Sequence, residues 1–196
     1  MPRRPNPEIL QRLLTDGGRL VHEVGFHASG VQDIAVAAKI PKGSFYSYFD
    51  SKESFASAIL QEYWTDIENR LVTVLYDASI EPLVRVKRFF SLLVDEHAAN
   101  NFTIGCLIGN LSLELANNSD GVRATLTHIL GKWEAALAAC IKEASSNAGS
   151  SKRRDAHQLA AIMIDSFEGA TLRSKIERND NAFQRFIDIT LPHILT

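Results

Sequence analysis

Residues 25–53 read GFHASGVQDIAVAAKIPKGSFYSYFDSKE, and this stretch decides the fold. Apolar residues recur at helical spacing on both sides of Lys39-Ile40-Pro41, which predicts two short helices joined by a tight turn. The first helix is expected to begin at Ser29 and end at Ala38, and the second to span residues 42–48. Two short helices around a tight turn are the helix-turn-helix plan, in which the second helix enters the major groove of DNA.

Capping signals flank the two short helices. Ser29 followed by Gln32 has the pattern of a capping box, and so does the segment 50–53, Asp-Ser-Lys-Glu. The second box is expected to open a long helix over residues 53–77. Before the quoted stretch, apolar spacing over residues 8–24 predicts another helix, and close packing of a neighbouring helix would explain Gly17-Gly18 within it.

The rest of the chain continues the helical spacing, without a convincing alternating strand or a fixed-period repeat. The sequence therefore predicts an all-α protein of about nine helices. It comprises an N-terminal three-helix domain, residues 1–52, and a larger helical domain, residues 53–196. The last two helices are expected over residues 155–178 and 180–194.

Composition excludes several classes of protein. Among 196 residues, 21 Lys and Arg oppose 23 Asp and Glu, so the net charge of −2 does not by itself indicate a nucleic-acid binder. Residues 1–52 carry +2 and residues 53–196 carry −4, so the total conceals a mildly basic head. No apolar run suits a membrane span or a signal peptide. A cytoplasmic protein without membrane partner is expected, with Cys106 and Cys140 as reduced thiols.

Residues 25–53 resemble the DNA-binding domain of TetR-family transcriptional repressors. The matching positions are Gly25-Phe26, Val31, Asp33-Ile34-Ala35, Ala37-Ala38, the run 42–49 (KGSFYSYF) and Ser51-Lys52-Glu53. Two positions depart from the family pattern. Lys39 stands where a turn glycine is usual, which requires a non-glycine residue in a left-handed conformation. Ser47 stands where histidine is common, which changes the bases that are read.

The resemblance implies which residues bind DNA. The recognition helix contributes Lys42, Gly43, Ser44, Tyr46, Ser47 and Tyr48. Ser29 and Gln32 at the preceding helix start, and Lys52 at the next, are expected to touch phosphates. Arg3 and Arg4 are expected to form an arm in the minor groove. Packing in the small core remains the alternative for Tyr46 and Tyr48, a solvated side chain for Lys52, and a disordered tail for the two arginines.

The resemblance also implies a C-terminal domain that binds an effector and forms a homodimer. Paired copies of the last two helices would form a four-helix bundle and place two recognition helices about 34–36 Å apart on a palindromic operator. The residues expected at that interface, with intrachain core as the alternative, are Phe167, Gly169, Ala170, Leu172, Ile176, Phe186 and Ile187. Those expected to surround the effector cavity, with core as the alternative, are Trp64, His97, Phe102, Asn110 and Trp133.

A second resemblance concerns Cys106. The run 105–110, Gly-Cys-Leu-Ile-Gly-Asn, is similar to acrylate-responsive repressors, and together with residues 172–176 it resembles repressors that respond to electrophiles such as N-ethylmaleimide. In that group, the cysteine at the position of Cys106 is the sensor, and a lysine at the position of Lys175 lies near it. A helix start and a nearby ammonium both favour a thiolate. The alternatives are a buried apolar Cys106 and a surface Lys175. Cys140 falls on an apolar stripe and is interpreted as core.

Two other classes of function remain as alternatives to a ligand-responsive repressor. One is an architectural or division-control protein of the same fold. The other is an enzyme with Cys106 as nucleophile, which lacks GxSxG, P-loop or dinucleotide-loop motifs to support it. The six histidines are scattered, without an HxxxH or CxxC pattern. The sequence therefore predicts neither a metal site nor a cofactor.

Overall fold

The computed structural model describes residues 6–147 and 155–195. Arg3 and Arg4, predicted as a minor-groove arm, lie outside these ranges. Within them, the secondary structure is helical, and nine helices are present if those that continue through a π turn are counted as one. The all-α prediction is therefore confirmed.

The bounds of the elements follow the predicted order. The α-helices are α1 (Pro7–Arg12), α2 (Gly18–Val24), α3 (Val31–Ala37), α4 (Lys42–Phe45), α5 (Lys52–Arg70), α6 (Pro82–Ala99), α7 (Leu107–Leu115), α8 (Asp120–Asn147), α9 (Ala156–Glu177), α10 (Asn181–Arg185) and α11 (Leu191–Leu195). The π turns Leu13–Gly17 and Phe186–Thr190 join α1 to α2 and α10 to α11. A 3₁₀ segment, Val72–Tyr76, follows α5.

The helix caps lie one residue later than predicted. Gly30, not Ser29, is the N-cap of α3, and its N–H donates to the Asp33 carboxylate at 2.8 Å. At the start of α5, Ser51 and Ser54 cap each other. The Ser54 N–H donates to Ser51 Oγ at 3.0 Å, and the Ser51 N–H to Ser54 Oγ at 3.1 Å. Both predicted boxes are therefore wrong in register, although each marks a real helix start.

The turn between α3 and α4 is closed by Lys39 in a left-handed conformation, with φ +56°. The Ile40 N–H donates to Ala35 O at 2.9 Å, and the Lys39 N–H to Val36 O at 3.0 Å. This pair of hydrogen bonds is the Schellman motif, which favours glycine at the left-handed position. The requirement inferred from the missing turn glycine is confirmed. α4 itself is shorter than predicted, ending at Phe45 before a turn over residues 46–48.

Replacing Lys39 with glycine is expected to stabilise the protein by about 0.5–1 kcal/mol. The left-handed backbone strains a residue with a Cβ, and the greater freedom of glycine in the unfolded chain offsets part of the gain. Thermal unfolding monitored by circular dichroism measures the change. Lys39→Ala removes the same charge but keeps a Cβ, so it should leave the midpoint almost unchanged. An equal rise in both variants would assign the effect to charge instead.

The small N-terminal core explains Gly17 and Gly18. A Cβ on Gly17 would lie 2.9 Å from Ile34 Cγ2, and one on Gly18 would lie 3.1 Å from Ile59 Cγ2. The close packing predicted over these glycines is therefore present, from α3 and α5. Phe45 is fully buried beside Phe49 and Phe55, with its ring centroid 5.5 Å from each. These contacts fix α4 on its apolar side and leave its other side to solvent.

The predicted long helix over residues 53–77 is wrong at its C-terminus. α5 ends at Arg70, which pairs with Asp66 and Glu96. The next residues include Val72, Thr73 and Val74, β-branched side chains that lower helix propensity. The carbonyl of Leu75 accepts hydrogen bonds from Arg85 Nη1 at 3.0 Å and from Cys140 Sγ at 2.9 Å, which holds it outside a regular helix.

The chain folds into two compact units. One comprises Met1–Trp64 with Leu107–Thr127, and the other Thr65–Cys106 with His128–Thr196. The boundary after residue 52 stays a prediction. None of the helices in residues 6–147 and 155–195 is long and apolar enough to cross a membrane.

An aromatic cluster fills the core of the second unit. Phe90, Phe167 and Phe186 are buried, and the Phe90 ring lies 5.1 Å from that of Phe167 and 4.9 Å from that of Phe186. The prediction of Phe167 and Phe186 at a subunit interface is therefore corrected, because their surface is already covered within the chain. The other predicted interface residues, Gly169, Ala170, Leu172, Ile176 and Ile187, are exposed or half-buried.

Candidate nucleic-acid and effector sites

One side of the turn-and-helix at residues 42–47 is open to solvent. Lys42, Gly43, Tyr46 and Ser47 are exposed, with 56% of Tyr46 accessible, and Ser44 is half-buried. A Cβ on Gly43 would meet no described atom within 4 Å. We call these five residues the α4 surface. Core packing is thereby ruled out for Tyr46, and the surface offers an ammonium, two hydroxyls and a phenol to a ligand.

Tyr48, the sixth residue predicted on the recognition helix, has a different environment. It is half-buried, and its hydroxyl accepts the N–H of Asn6 at 2.9 Å. Asn6 is in turn the N-cap of α1, where its side chain accepts the Glu8 N–H at 2.9 Å. Tyr48 thus attaches the start of α1 to the turn after α4.

Of the predicted phosphate ligands, Ser29 and Lys52 face inward. Ser29 is fully buried and its hydroxyl donates to Phe26 O at 3.0 Å. The Lys52 ammonium donates to the same carbonyl and lies 4.0 Å from the centroid of the Phe26 ring. Burial lowers the pKa of Lys52, and the Glu114 carboxylate works in the opposite direction. The prediction for Ser29 is corrected, because its hydroxyl is enclosed within the chain, whereas Lys52 is half-buried and its contact with a phosphate stays a prediction. Gln32 remains exposed at the start of α3.

The partner of this region that the sequence did not reveal is Glu114, on α7. Its two carboxylate oxygens accept the N–H groups of Phe26 at 3.0 Å and His27 at 2.8 Å. Phe26 and His27 belong to the loop over residues 25–30, which we call the α2–α3 loop. Glu114 is an isolated carboxylate in the apolar helix LIGNLSLEL, and that isolation is the signal that could have singled it out.

The segment that precedes α7, residues 101–106, has an unusual backbone. Asn101, Phe102 and Gly105 have φ values of +52°, +55° and +70°. Two cations of the α9 region hold this segment, which we call the effector segment because Phe102 and Cys106, both predicted to contact an effector, lie in it. Arg178 Nη1 donates to Phe102 O at 3.2 Å, and Lys175 Nζ to Ile104 O at 3.1 Å. Consecutive left-handed residues without glycine are costly and cluster at functional sites.

Cys106 ends the effector segment, directly before Leu107, the first residue of α7, and so lies at the helix start rather than inside the helix. It is buried, with 6% of its surface accessible. The Glu168 carboxyl group forms a hydrogen bond with Cys106, and Glu168 Oε1 is buried without a hydrogen-bond partner among the described residues. Burial raises the pKa of Glu168, and the bond to Cys106 opposes that rise. Glu168 and Lys175 lie seven residues apart on α9, close to one face of the helix.

Cys140 is buried on α8, as interpreted from the sequence. Its thiol donates to Leu75 O at 2.9 Å, beside the buried Arg85 guanidinium, which pairs with Glu143 at 2.5 Å. Burial raises the pKa of Cys140, which disfavours its thiolate. The two cysteines thus differ in environment. The thiol of Cys106 is hydrogen-bonded to the Glu168 carboxyl group on α9, whereas that of Cys140 is hydrogen-bonded to a backbone carbonyl.

The remaining residues predicted around an effector lie in or next to the core. Trp64, Trp133 and His97 are buried, whereas Phe102 and Asn110 are half-buried. His97 stacks on Phe183 with ring centroids 5.1 Å apart. Their contact with an effector stays a prediction. No group of His, Cys, Asp and Glu among the described residues could hold a metal ion.

Comparison with known proteins establishes the family. Residues 13–59 match the bacterial regulatory proteins of the tetR family, and residues 82–190 match the tetracyclin repressor-like C-terminal domain. The second match alone spans more than half of the chain. The chain belongs to the TetR family. TetR-family members are transcriptional regulators that bind operator DNA and typically act as homodimers with small-molecule effectors, and they are not enzymes.

Relatives within the TetR family align over nearly the whole chain. The transcriptional repressor DhaR of Mycobacterium sp. strain GP1 is 38% identical over 188 residues, which cover 95% of this chain and 92% of DhaR. A crystal structure of a TetR regulatory protein from Rhodobacter sphaeroides has a TM-score of 0.86 and 33% identity, covering 94% of this chain and 97% of that chain. The reduced form of Escherichia coli NemR has a TM-score of 0.78 and 26% identity, covering 95% and 94%.

The buried carboxyl group in this TetR-family chain predicts a pH dependence of stability. Burial raises the pKa of Glu168 in the folded protein. The protonated carboxyl group therefore favours the folded state at low pH, and this contribution to the free energy of unfolding is lost as the pH rises through the pKa of the folded protein. Glu168→Gln removes the ionisation. The unfolding midpoint of the variant minus that of the wild type should therefore increase between pH 4 and pH 8. The exposed Glu23→Gln is the control, and a flat difference for Glu168→Gln would contradict the prediction.

Proposed function

We propose that this chain is a homodimeric repressor that binds a palindromic operator through the α4 surface and is released when an effector binds, or a thiol is modified, at the effector segment. The observation that carries the proposal is the α4 surface itself. The buried ring of Phe45 packs the inner side of α4 against the core. The side chains on the outer side remain available to a ligand, namely Lys42, Ser44, Tyr46 and Ser47.

The residues of the α4 surface suit a DNA groove. Lys42 neutralises a phosphate, Gly43 lets the backbone approach closely, and the hydroxyls of Ser44 and Ser47 donate to phosphates or base edges. Tyr46 offers both a polar tip and an apolar ring to the bases. The exposed Gln32 at the start of α3 supplies a further phosphate contact. Because residues 1–52 carry only +2, tight binding requires two copies and base contacts rather than bulk charge.

The proposed dimer interface rests on an exposed apolar stripe of α9. Ile162, Leu172 and Ile176 are exposed, the last two with 55% and 73% of their surface accessible. Gly169 lies seven residues from both Ile162 and Ile176, and a Cβ there would meet no described atom within 4 Å. Ile189, near the C-terminus, is exposed as well. A stripe of large apolar residues with a glycine in its middle suits a self-complementary contact with a second copy.

The proposed response to electrophiles rests on Cys106 and its neighbours. The environment of Cys106 is polar. The Glu168 carboxyl group is hydrogen-bonded to its thiol, and the Lys175 ammonium donates a hydrogen bond to the carbonyl of Ile104, two residues earlier. The backbone of the segment that ends at Cys106 is strained. Alkylation of Sγ adds a substituent at the residue before α7, where close packing leaves little room for it. NemR, to which this chain is similar, has been crystallised in a reduced form. The alternative within this proposal is a noncovalent effector bound near the same segment.

Selection of DNA from a random duplex library tests the proposal. The wild-type protein should enrich a two-fold symmetric sequence, and the complex with that duplex should contain two protomers by native mass spectrometry. Recovery of a short asymmetric site bound by one protomer would contradict the dimer. Binding without any enriched sequence would favour an architectural protein of the same fold.

A further inference from the structure

The α2–α3 loop is held by a carboxylate that is distant in sequence. Glu114 Oε1 accepts the Phe26 N–H at 3.0 Å, and Glu114 Oε2 accepts the His27 N–H at 2.8 Å. Both oxygens of one carboxylate are thus used on two successive backbone amides. Hydrogen bonds from amides to an ionised acceptor are about twice as strong as neutral ones, and two together fix direction as well as distance.

The loop is shaped to receive this carboxylate. Gly25 has φ +94°, and a Cβ at that position would lie 3.2 Å from Glu114 Oε1. On the opposite side of the peptide group, the Phe26 carbonyl accepts from Lys52 and from Ser29 Oγ. Every polar backbone group of Phe26 therefore has a partner that is a charged or buried side chain. The α2–α3 loop sets the direction in which α3, and α4 after it, leave α2.

Glu114 is connected to the effector segment by a single helix. α7 begins at Leu107, directly after Cys106, and ends at Leu115. Leu107 and Glu114 are seven residue steps apart on this helix, so the stretch between them spans about 10 Å. The bonds of 2.8 and 3.0 Å are lost beyond about 3.5 Å. A displacement of α7 along or across its axis by about 1 Å is enough to break them.

We propose that Glu114 is a positioning residue for DNA binding: its two hydrogen bonds to the α2–α3 loop hold the helix-turn-helix in the arrangement that fits the operator, and an effector acts by withdrawing it. The second part rests on the proposed function, since it takes the effector segment as the place where the signal starts. The first part depends only on the contacts of Glu114. The two parts are therefore tested by different measurements.

Three variants separate geometry from charge. Glu114→Ala removes both acceptors, Glu114→Asp keeps the charge on a side chain one methylene shorter, and Glu114→Gln keeps the length with one acceptor oxygen. If the contact acts through geometry, Gln retains more operator affinity than Asp, and Ala loses about tenfold or more. If only the negative charge near Lys52 matters, Asp resembles the wild type and Gln resembles Ala. Glu23→Ala, an exposed carboxylate on α2, is the control and should bind as the wild type does.

Operator affinity is measured by fluorescence anisotropy on the duplex selected by the wild-type protein, and amide hydrogen exchange is followed over residues 25–30. The expected result for Glu114→Ala is weaker binding with faster exchange in this loop and unchanged exchange in the α3 and α5 cores. Wild-type affinity in Glu114→Ala would overturn the proposal. So would a loss of affinity accompanied by faster exchange throughout the N-terminal unit, because that result describes a general loss of stability.

The effector part is tested by treating the same proteins with N-ethylmaleimide. In the wild type, release of the duplex should coincide with faster exchange at Phe26 and His27, whereas in Glu114→Ala the remaining affinity should change less than about twofold. Release from the wild type without faster exchange at the loop would overturn this part. If the wild type is not released at all, the electrophile response fails, while the affinities of the Glu114 variants still decide the positioning role.

Discussion

Replacing Tyr46 with alanine is expected to weaken operator binding by about 30- to 1,000-fold without unfolding the protein. More than half of the Tyr46 side chain is accessible, and its ring only leans edge-on against Phe45 at 5.4 Å. A lost groove contact costs about 1–2 kcal/mol per half-site, and a symmetric dimer loses it twice, which gives the stated range.

Lys42→Ala should also weaken binding, but across all sequences and with a reduced dependence on salt, because a phosphate contact carries no base preference.

Anisotropy titrations on the selected duplex and on a scrambled duplex measure both effects. Tyr76→Ala is the matched control, since Tyr76 is a tyrosine of the other unit with 63% of its surface accessible. Circular dichroism at the titration temperature verifies that each variant is folded. Retention of affinity in Tyr46→Ala would refute the assignment of the α4 surface.

Replacing Cys106 with serine is expected to abolish the release of operator by N-ethylmaleimide. The wild-type complex should dissociate as the thiol is alkylated, whereas the serine variant, which lacks a nucleophilic sulfur, should remain bound at the same concentration of reagent. Operator affinity before treatment should stay within about threefold of the wild type, because serine keeps the size and the hydrogen-bonding capacity of the side chain.

The second cysteine provides the control for this experiment. Cys140 is buried, donates to Leu75 O, and has a pKa raised by burial, so it should be alkylated slowly. Cys140→Ser keeps a donor at that position and should release operator as the wild type does. Release from Cys106→Ser would show that the thiol is not the switch and that N-ethylmaleimide acts elsewhere or as a noncovalent effector. Loss of the response in Cys140→Ser would move the sensor to α8.

Local sequence patterns were sufficient for the helix-turn-helix. Apolar spacing and the break at Lys39-Ile40-Pro41 gave the order of helices, and the missing turn glycine correctly indicated a left-handed Lys39. The caps moved by one residue because Asp33 and Ser54 compete as partners with the predicted Gln32 and Glu53. A pattern of polar residues marks a helix start, but the choice between neighbouring hydroxyls depends on which of them the tertiary structure buries.

Long-range contacts account for the site residues that the sequence misassigned or missed. Phe26 and Glu114 are 88 positions apart, so no local window relates them. Lys52 has the sequence environment of a solvated cation at a helix start, yet the loop 26 residues earlier draws its ammonium inward. Ser29 is similar, since only the folded loop shows that its hydroxyl is enclosed. Resemblance to a family therefore predicts which positions lie near a site, but the direction in which each side chain points depends on the contacts of the individual chain.

The predicted dimer interface on α9 also could not be resolved from local sequence. Phe167, Leu172 and Ile176 are all apolar and lie on one helix, so periodicity alone does not separate the core face from the exposed face. In the structure, Phe167 joins the aromatic cluster, while Leu172 and Ile176 remain exposed. The helix thus carries apolar residues on two faces, one in the core and one exposed to solvent.

The proposed sensor role means that a signal at Cys106 controls occupancy of the operator by this TetR-family chain. Native mass spectrometry of the wild-type protein–operator complex during titration with N-ethylmaleimide tests it most directly, because adducts and bound DNA are counted in the same spectrum. Protein that carries one adduct per protomer, mapped to Cys106, should appear only free of DNA, while unmodified dimers should stay bound. Dimers that carry the Cys106 adduct and still hold the operator would contradict it.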